Sequence, residues 1–276
     1  MTQPLPFQRA LPFQRALPFQ RALHAEWTKF RTEAGPVWLL LAAVALTVAL
    51  GAGADGSARC APPDCASDAT RLSLTGVVLG QAAVAILAVL AIGNEYGTGM
   101  IRTTFTAVPR RGTVLAAKGA VLAGTVLLAG AAAVPASLLA GRLVLPGNGF
   151  TAASGHPPIS LADGPTLRAA VGSVLYLVLV ALLALGVATA VRDSAAAIGA
   201  VLGLLYLFPI VIHVIGDPVW QRRLEKIAPM PAGLAVQATT DLADLPISPW
   251  KGLAVLAGWA AAALLAATVL LRTRDA

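Results

Sequence analysis

Charged side chains make up only 12% of this 276-residue sequence and aromatic ones 5%, while 57% of its residues are hydrophobic. A soluble domain carries roughly a quarter charged residues, and a chain of this length still exposes much of its surface. Scarcity of charge on that scale excludes a water-soluble globular protein. Within the long apolar runs there is no Asp or Glu, which argues against a proton-driven carrier, because such carriers need buried acids as relays. There is no Gly-x-x-x-x-Gly-Lys-[Ser/Thr], so the chain is not expected to cradle and split ATP alone. Neither His-Glu-x-x-His nor Gly-x-Ser-x-Gly occurs, so an intramembrane metalloprotease or serine hydrolase has no visible site.

What the sequence does contain is six apolar blocks, near residues 36–54, 74–93, 114–139, 167–191, 195–215 and 253–271. Each is about the length that crosses a hydrocarbon core as a helix. Their continuity favours helices over barrel strands, which alternate over about ten residues. The fold class expected is therefore an all-α integral membrane protein with about six transmembrane helices over 36–276. The first block is not expected to be a removable signal peptide, since it begins well inside the sequence with no small-residue cleavage site leading into a soluble domain.

Basic residues orient the chain. With both termini inside, the cytoplasmic side holds 12 of the 20 Lys and Arg but only 5 of the 13 Asp and Glu, so the whole formal charge of +7 falls there. That basicity suits an anionic lipid surface in a cell (inner) membrane rather than nucleic acid. Cys60 and Cys65 fall in the first outer loop, in a compartment where disulfides persist. They either close a small loop held by Pro62 and Pro63 or stay as two thiols. No histidine lies nearby, and no metal site or other cofactor is expected.

Residues 1–23 carry Leu-Pro-Phe-Gln-Arg-Ala three times, at 5–10, 11–16 and 17–22. A period of six is too short for a solenoid, and a proline in each copy opposes a continuous helix. The segment reads as a low-complexity arm, either a membrane-surface tether or a duplicated tail without a role. Residues 24–35 read as an amphipathic surface helix, with Trp27 and Phe30 entering the lipid boundary while Lys29 and Arg31 stay wet. At membrane depth, Gln81 is expected to bond between helices, Lys118 to snorkel to the inner face, and His213 to sit at the outer interface.

Between the second and third blocks, residues 94–111 hold more than a turn requires. Gly97 and Gly99 permit a sharp break, Thr98 can cap a following helix, and Pro109 stops that helix before Arg110 and Arg111. A cytoplasmic helix across the membrane face is expected here. A plain basic anchor explains the arginines but not Glu95 or Tyr96.

Three patterns together carry a resemblance: residues 25–32, Ala-Glu-Trp-Thr-Lys-Phe-Arg-Thr; Glu95-Tyr96-Gly97-Thr98-Gly99 followed by Ile101-Arg102-Thr103; and Val108-Pro109-Arg110-Arg111. In this order relative to the blocks, the sequence resembles the permease subunits of ABC-2-type exporters, particularly the short actinobacterial kind. The repeated arm is extra to that pattern. The resemblance implies a homodimer, or a pair of related permeases, bound to a separate ABC ATPase subunit, exporting a drug, lipid or peptide. It implies ATPase contacts at Glu26, Trp27 and Lys29 and at Glu95, Tyr96, Gly97, Thr98, Gly99 and Arg102. It also implies protomer contacts through the first and fifth spans, where Gly199 and Gly203 allow close packing. The other readings of the chain are an ATP-independent channel or carrier, and an intramembrane enzyme or scaffold.

Overall fold

The computed structural model describes residues 16–60, 67–107 and 111–273. The described residues are helical, without a strand, and six of the helices are long and apolar enough to cross a membrane. These are α2 (Ala34–Ser57), α4 (Val77–Gly97), α6 (Arg111–Val144), α7 (Gly164–Val191), α8 (Ser194–Val214) and α11 (Pro249–Thr273). At 1.5 Å per residue the 24 residues of α2 span about 36 Å, enough for a hydrocarbon core of about 30 Å. Shorter helices connect them: α1 (Ala16–Thr32), α3 (Ala69–Ser73), α5 (Met100–Ala107), α9 (Pro218–Ile227) and α10 (Pro229–Leu234).

The expected blocks are found with shifted ends. Residues 74–76 belong to a tight turn after α3 rather than to α4, and α6 is longer than its apolar stretch. Helix α1 begins at the last residue of the second copy of the repeat and runs through the third, because Pro18 falls in its first turn, where the missing N–H has no partner to lose. Pro135 within α6 and Pro209 within α8 are likewise accommodated inside long helices.

Helices α4, α6 and α7 form the core of the bundle, with 61%, 50% and 56% of their apolar windows buried, against 17%, 22% and 22% for α2, α8 and α11. Polar side chains stitch this core. Tyr176 of α7 donates to Gln81 Oε1 on α4, Gln81 Nε2 lies 3.3 Å from Met230 Sδ on α10, and Tyr206 of α8 donates to the Val78 carbonyl. Gln81 therefore bonds between helices, as its position in a span suggests. Helix α10 and the 3-10 turn after it (Ala235–Gln237) fold back against α7 and α11, with Gln237 Nε2 donating to Ser173 Oγ at 3.0 Å. Asp68 caps α3 through the Arg71 amide and accepts from the Thr239 and Thr240 amides and the Thr239 hydroxyl, tying that fold-back to the end of α3.

One end of the bundle gathers α1, the start of α6, the end of α4, the α7–α8 junction and the end of α11, where Arg111 Nη1 donates to the Leu271 carbonyl. The far end gathers the end of α2, α3 and the end of α6. There Asp55 of α2 is fully buried, accepting only from Ser73 Oγ at 3.0 Å. Asp55 lies within α2 and Glu95 within α4, so span helices do contain acids. Both lie just beyond the apolar blocks 36–54 and 74–93, which hold no acid, but within the longer helices that carry those blocks.

Candidate functional site

Helix α1 is held by charge rather than by oil. Ala22, Glu26 and Lys29 recur at i, i+4 and i+7, which places them on one face of the helix, turned toward α4 and α6. Ala22 and Glu26 are buried, whereas Trp27 is 41% exposed on the adjoining face, stacked at 6.5 Å on Phe30.

Lys118 of α6 meets this face. It is 4% exposed, and its Nζ donates to Glu26 Oε2 at 2.5 Å, to the Ala91 carbonyl at 2.9 Å and to Glu95 Oε1 at 3.0 Å. All three ammonium hydrogens are thereby used. Lys29 Nζ donates to Glu26 Oε1 at 3.0 Å and to Glu95 Oε1 at 2.8 Å. Two lysines and two glutamates on three helices thus form one closed, charge-balanced quartet. Lys118 does not snorkel: from one turn into the apolar run it points inward, because two carboxylates within reach compensate its charge better than a stretch to the interface.

Glu95, which a plain basic anchor does not explain, has Lys29 and Lys118 as its partners. Glu95 is also not a loop residue outside the spans but the third residue from the end of α4. Burial works against the charge of Lys29, but its hydrogen bonds to Glu95 and Glu26 and the field of those carboxylates outweigh it, and its pKa is raised above the ordinary 10.5. One acceptor is left over: Glu95 Oε2 is buried without a hydrogen-bond partner.

The quartet borders a cavity of about 290 Å³ between α1, α4 and α6, whose polar lining is Glu26, Lys29, Glu33, Asn94, Glu95, Thr98 and Lys118. The two glutamates of the quartet are neutralised by its lysines, and among the described residues no group of three His, Cys, Asp or Glu gathers as metal ligands would.

The residues after Glu95 divide. The Arg192 guanidinium, at the left-handed C-terminus of α7, lies over the Tyr96 ring at 5.7 Å from its centroid. Gly97 ends α4, and the break expected there is made by Gly99, whose φ of +72° favours glycine. Thr98 does not cap the next helix. Its hydroxyl donates back to the Asn94 carbonyl at 2.7 Å, closing α4 instead. Arg102 belongs to α5, the expected short helix; its side chain, that of His213, and Pro109 lie outside the described residues. Cys60 is buried and disulfide-bonded, while Cys65 lies outside the described residues. Gly199 and Gly203 sit on α8 where an added Cβ would meet nothing within 4 Å.

Neither a protein-family model nor a curated protein matches the chain. Sequence reasoning placed Lys118 and Arg192 at this end but not in the site, and it missed the Ala91 carbonyl. For Lys118 the signal existed: a lone charge inside an apolar run faces the bundle more often than the lipid.

Proposed function

We propose that this chain is the membrane-spanning permease subunit of an ATP-driven ABC-2-type exporter, powered by a separate ATPase subunit. The observation that carries the reading is the quartet. A surface helix that only lay on lipid would need no buried ion pairs, whereas α1 is tied through Glu26 and Lys29 to both α4 and α6. A push on α1 or α5 from outside the membrane then reaches two core helices through bonded groups rather than through lipid.

In this reading the α1 end faces the cytoplasm, both termini lie there, and the chain resides in the cell membrane. Charge asymmetry supports it: the basic excess of the sequence falls at that end. The ATPase contacts the exposed parts of α1 and α5. Two copies, or this chain and a related permease, meet through α2 and α8. Both are largely unburied and both pack on α4, and Gly199 and Gly203 leave the α8 surface open to a second helix. The cargo is a drug, lipid or peptide.

The test is purification of the chain from its native membrane. A stoichiometric partner with a phosphate-cradling loop is expected, and the chain freed of it should hydrolyse no ATP. Sustained hydrolysis by the chain alone overturns the reading.

A further inference from the structure

The cavity beneath α1 has an unused charge. Three carboxylates line it, those of Glu26, Glu33 and Glu95, against the two ammonium groups of Lys29 and Lys118. Both oxygens of Glu26 and one of Glu95 are taken by lysines. Glu95 Oε2 accepts nothing, although the Glu95 side chain is only 6% exposed and water therefore reaches it poorly. A buried carboxylate oxygen without a donor is costly to maintain. Apart from Asn94 and Thr98, the rest of the lining is apolar, including Phe30, Leu90 and Leu122.

We propose that this cavity is a binding site for one organic cation, a guanidinium or primary ammonium on a short alkyl stem, with Glu95 Oε2 as its anchor. A neutral ligand leaves the excess carboxylate uncompensated, and an anion meets Oε2 directly. The volume of about 290 Å³ is at the small end of ligand pockets and matches a single side-chain-sized group. Phe30, Leu90 and Leu122 receive the stem, and Glu33 at the exposed rim draws the charge in. The same chemistry is offered by an arginine or lysine of a partner protein and by a free alkylamine or alkylguanidine. Binding to the chain alone does not depend on the exporter reading.

The full chain in detergent is titrated with butylguanidinium chloride at constant ionic strength, and with butylurea as the neutral counterpart, by calorimetry. Saturable one-to-one binding of butylguanidinium is expected, with butylurea roughly tenfold or more weaker. Glu95→Gln should abolish the difference between the two probes. Since that change also disturbs the quartet, Glu33→Gln provides the second test: it lies outside the ion pairs, and should weaken butylguanidinium by about two- to fivefold while leaving butylurea unchanged. Absence of saturable binding, equal binding of the two probes, or an unaltered affinity in Glu33→Gln overturns the proposal. Repeating the titration on the complex with its ATPase separates the sources. Exclusion of the probe there identifies a partner side chain as the natural occupant, and retained binding identifies a free cation. Failure of the titration leaves co-purification of an ATPase unaffected, and failure to find an ATPase leaves the cation site standing.

Discussion

At the scale of single residues, Lys118 is the centre of the site, because it alone touches both glutamates and the α4 backbone. Replacing one member of a buried ion pair strands its partners, a loss of about 3–5 kcal/mol. Lys118→Met should therefore lower the thermal unfolding midpoint sharply, and the double change Lys118→Met with Glu26→Gln should recover part of it, since fewer charges are left unpaired. Equal midpoints for wild type and Lys118→Met contradict the quartet. Lys29 gives a pH signature. Its pKa is raised in the folded state, so its contribution is complete below the unfolded value of 10.5 and disappears as pH rises through the higher folded value. The difference in unfolding midpoint between wild type and Lys29→Gln should be flat near neutrality and shrink above pH 10.5; a difference that stays unchanged above that pH would contradict the assignment. Glu26, Lys29 and Glu95 were legible as site residues from their motifs. That they bond to one another was not, because Lys29 pairs with Glu95 across 66 residues and on a different helix, which periodicity in a single span cannot reveal.

At the scale of elements, helix-to-helix distance is set by a few small residues. Gly76, at the head of α4, lies against the Thr47 backbone of α2, and an added Cβ would overlap its carbonyl; backbone cannot step aside as a side chain can. Gly124 on α6 has nothing within 4 Å of the same atom. Gly76→Ala should thus destabilise by about 1–3 kcal/mol or more, while Gly124→Ala should be neutral or slightly stabilising, as Ala is the better helix former. Unfolding midpoints of the two variants check this, and similar values would contradict the packing described. The spans themselves were legible from apolar length. Their ends were not: Pro18 is absorbed by a first turn, Thr98 turns back on α4 rather than capping α5, and α10 folds inward on bonds from Gln81 and Gln237 that only the tertiary structure brings together.

At the scale of the whole molecule, six helices are long and apolar enough for a multi-pass membrane protein, and the proposed orientation puts the α1 end inside. In intact cells, after mild reduction, a membrane-impermeant thiol reagent should label Cys60 and Cys65, and reaction only after permeabilisation would invert the orientation. The division of work between the two ends can be read directly by photo-crosslinking in the native membrane. The crosslinker is placed at exposed Thr103 on α5, the helix that follows α4, and at exposed Leu143 near the far end of α6. Capture of an ATP-binding subunit from position 103 and not from position 143 is the predicted result; capture from neither, or from position 143 alone, would contradict the assignment of this chain as an exporter permease driven through its α1 end.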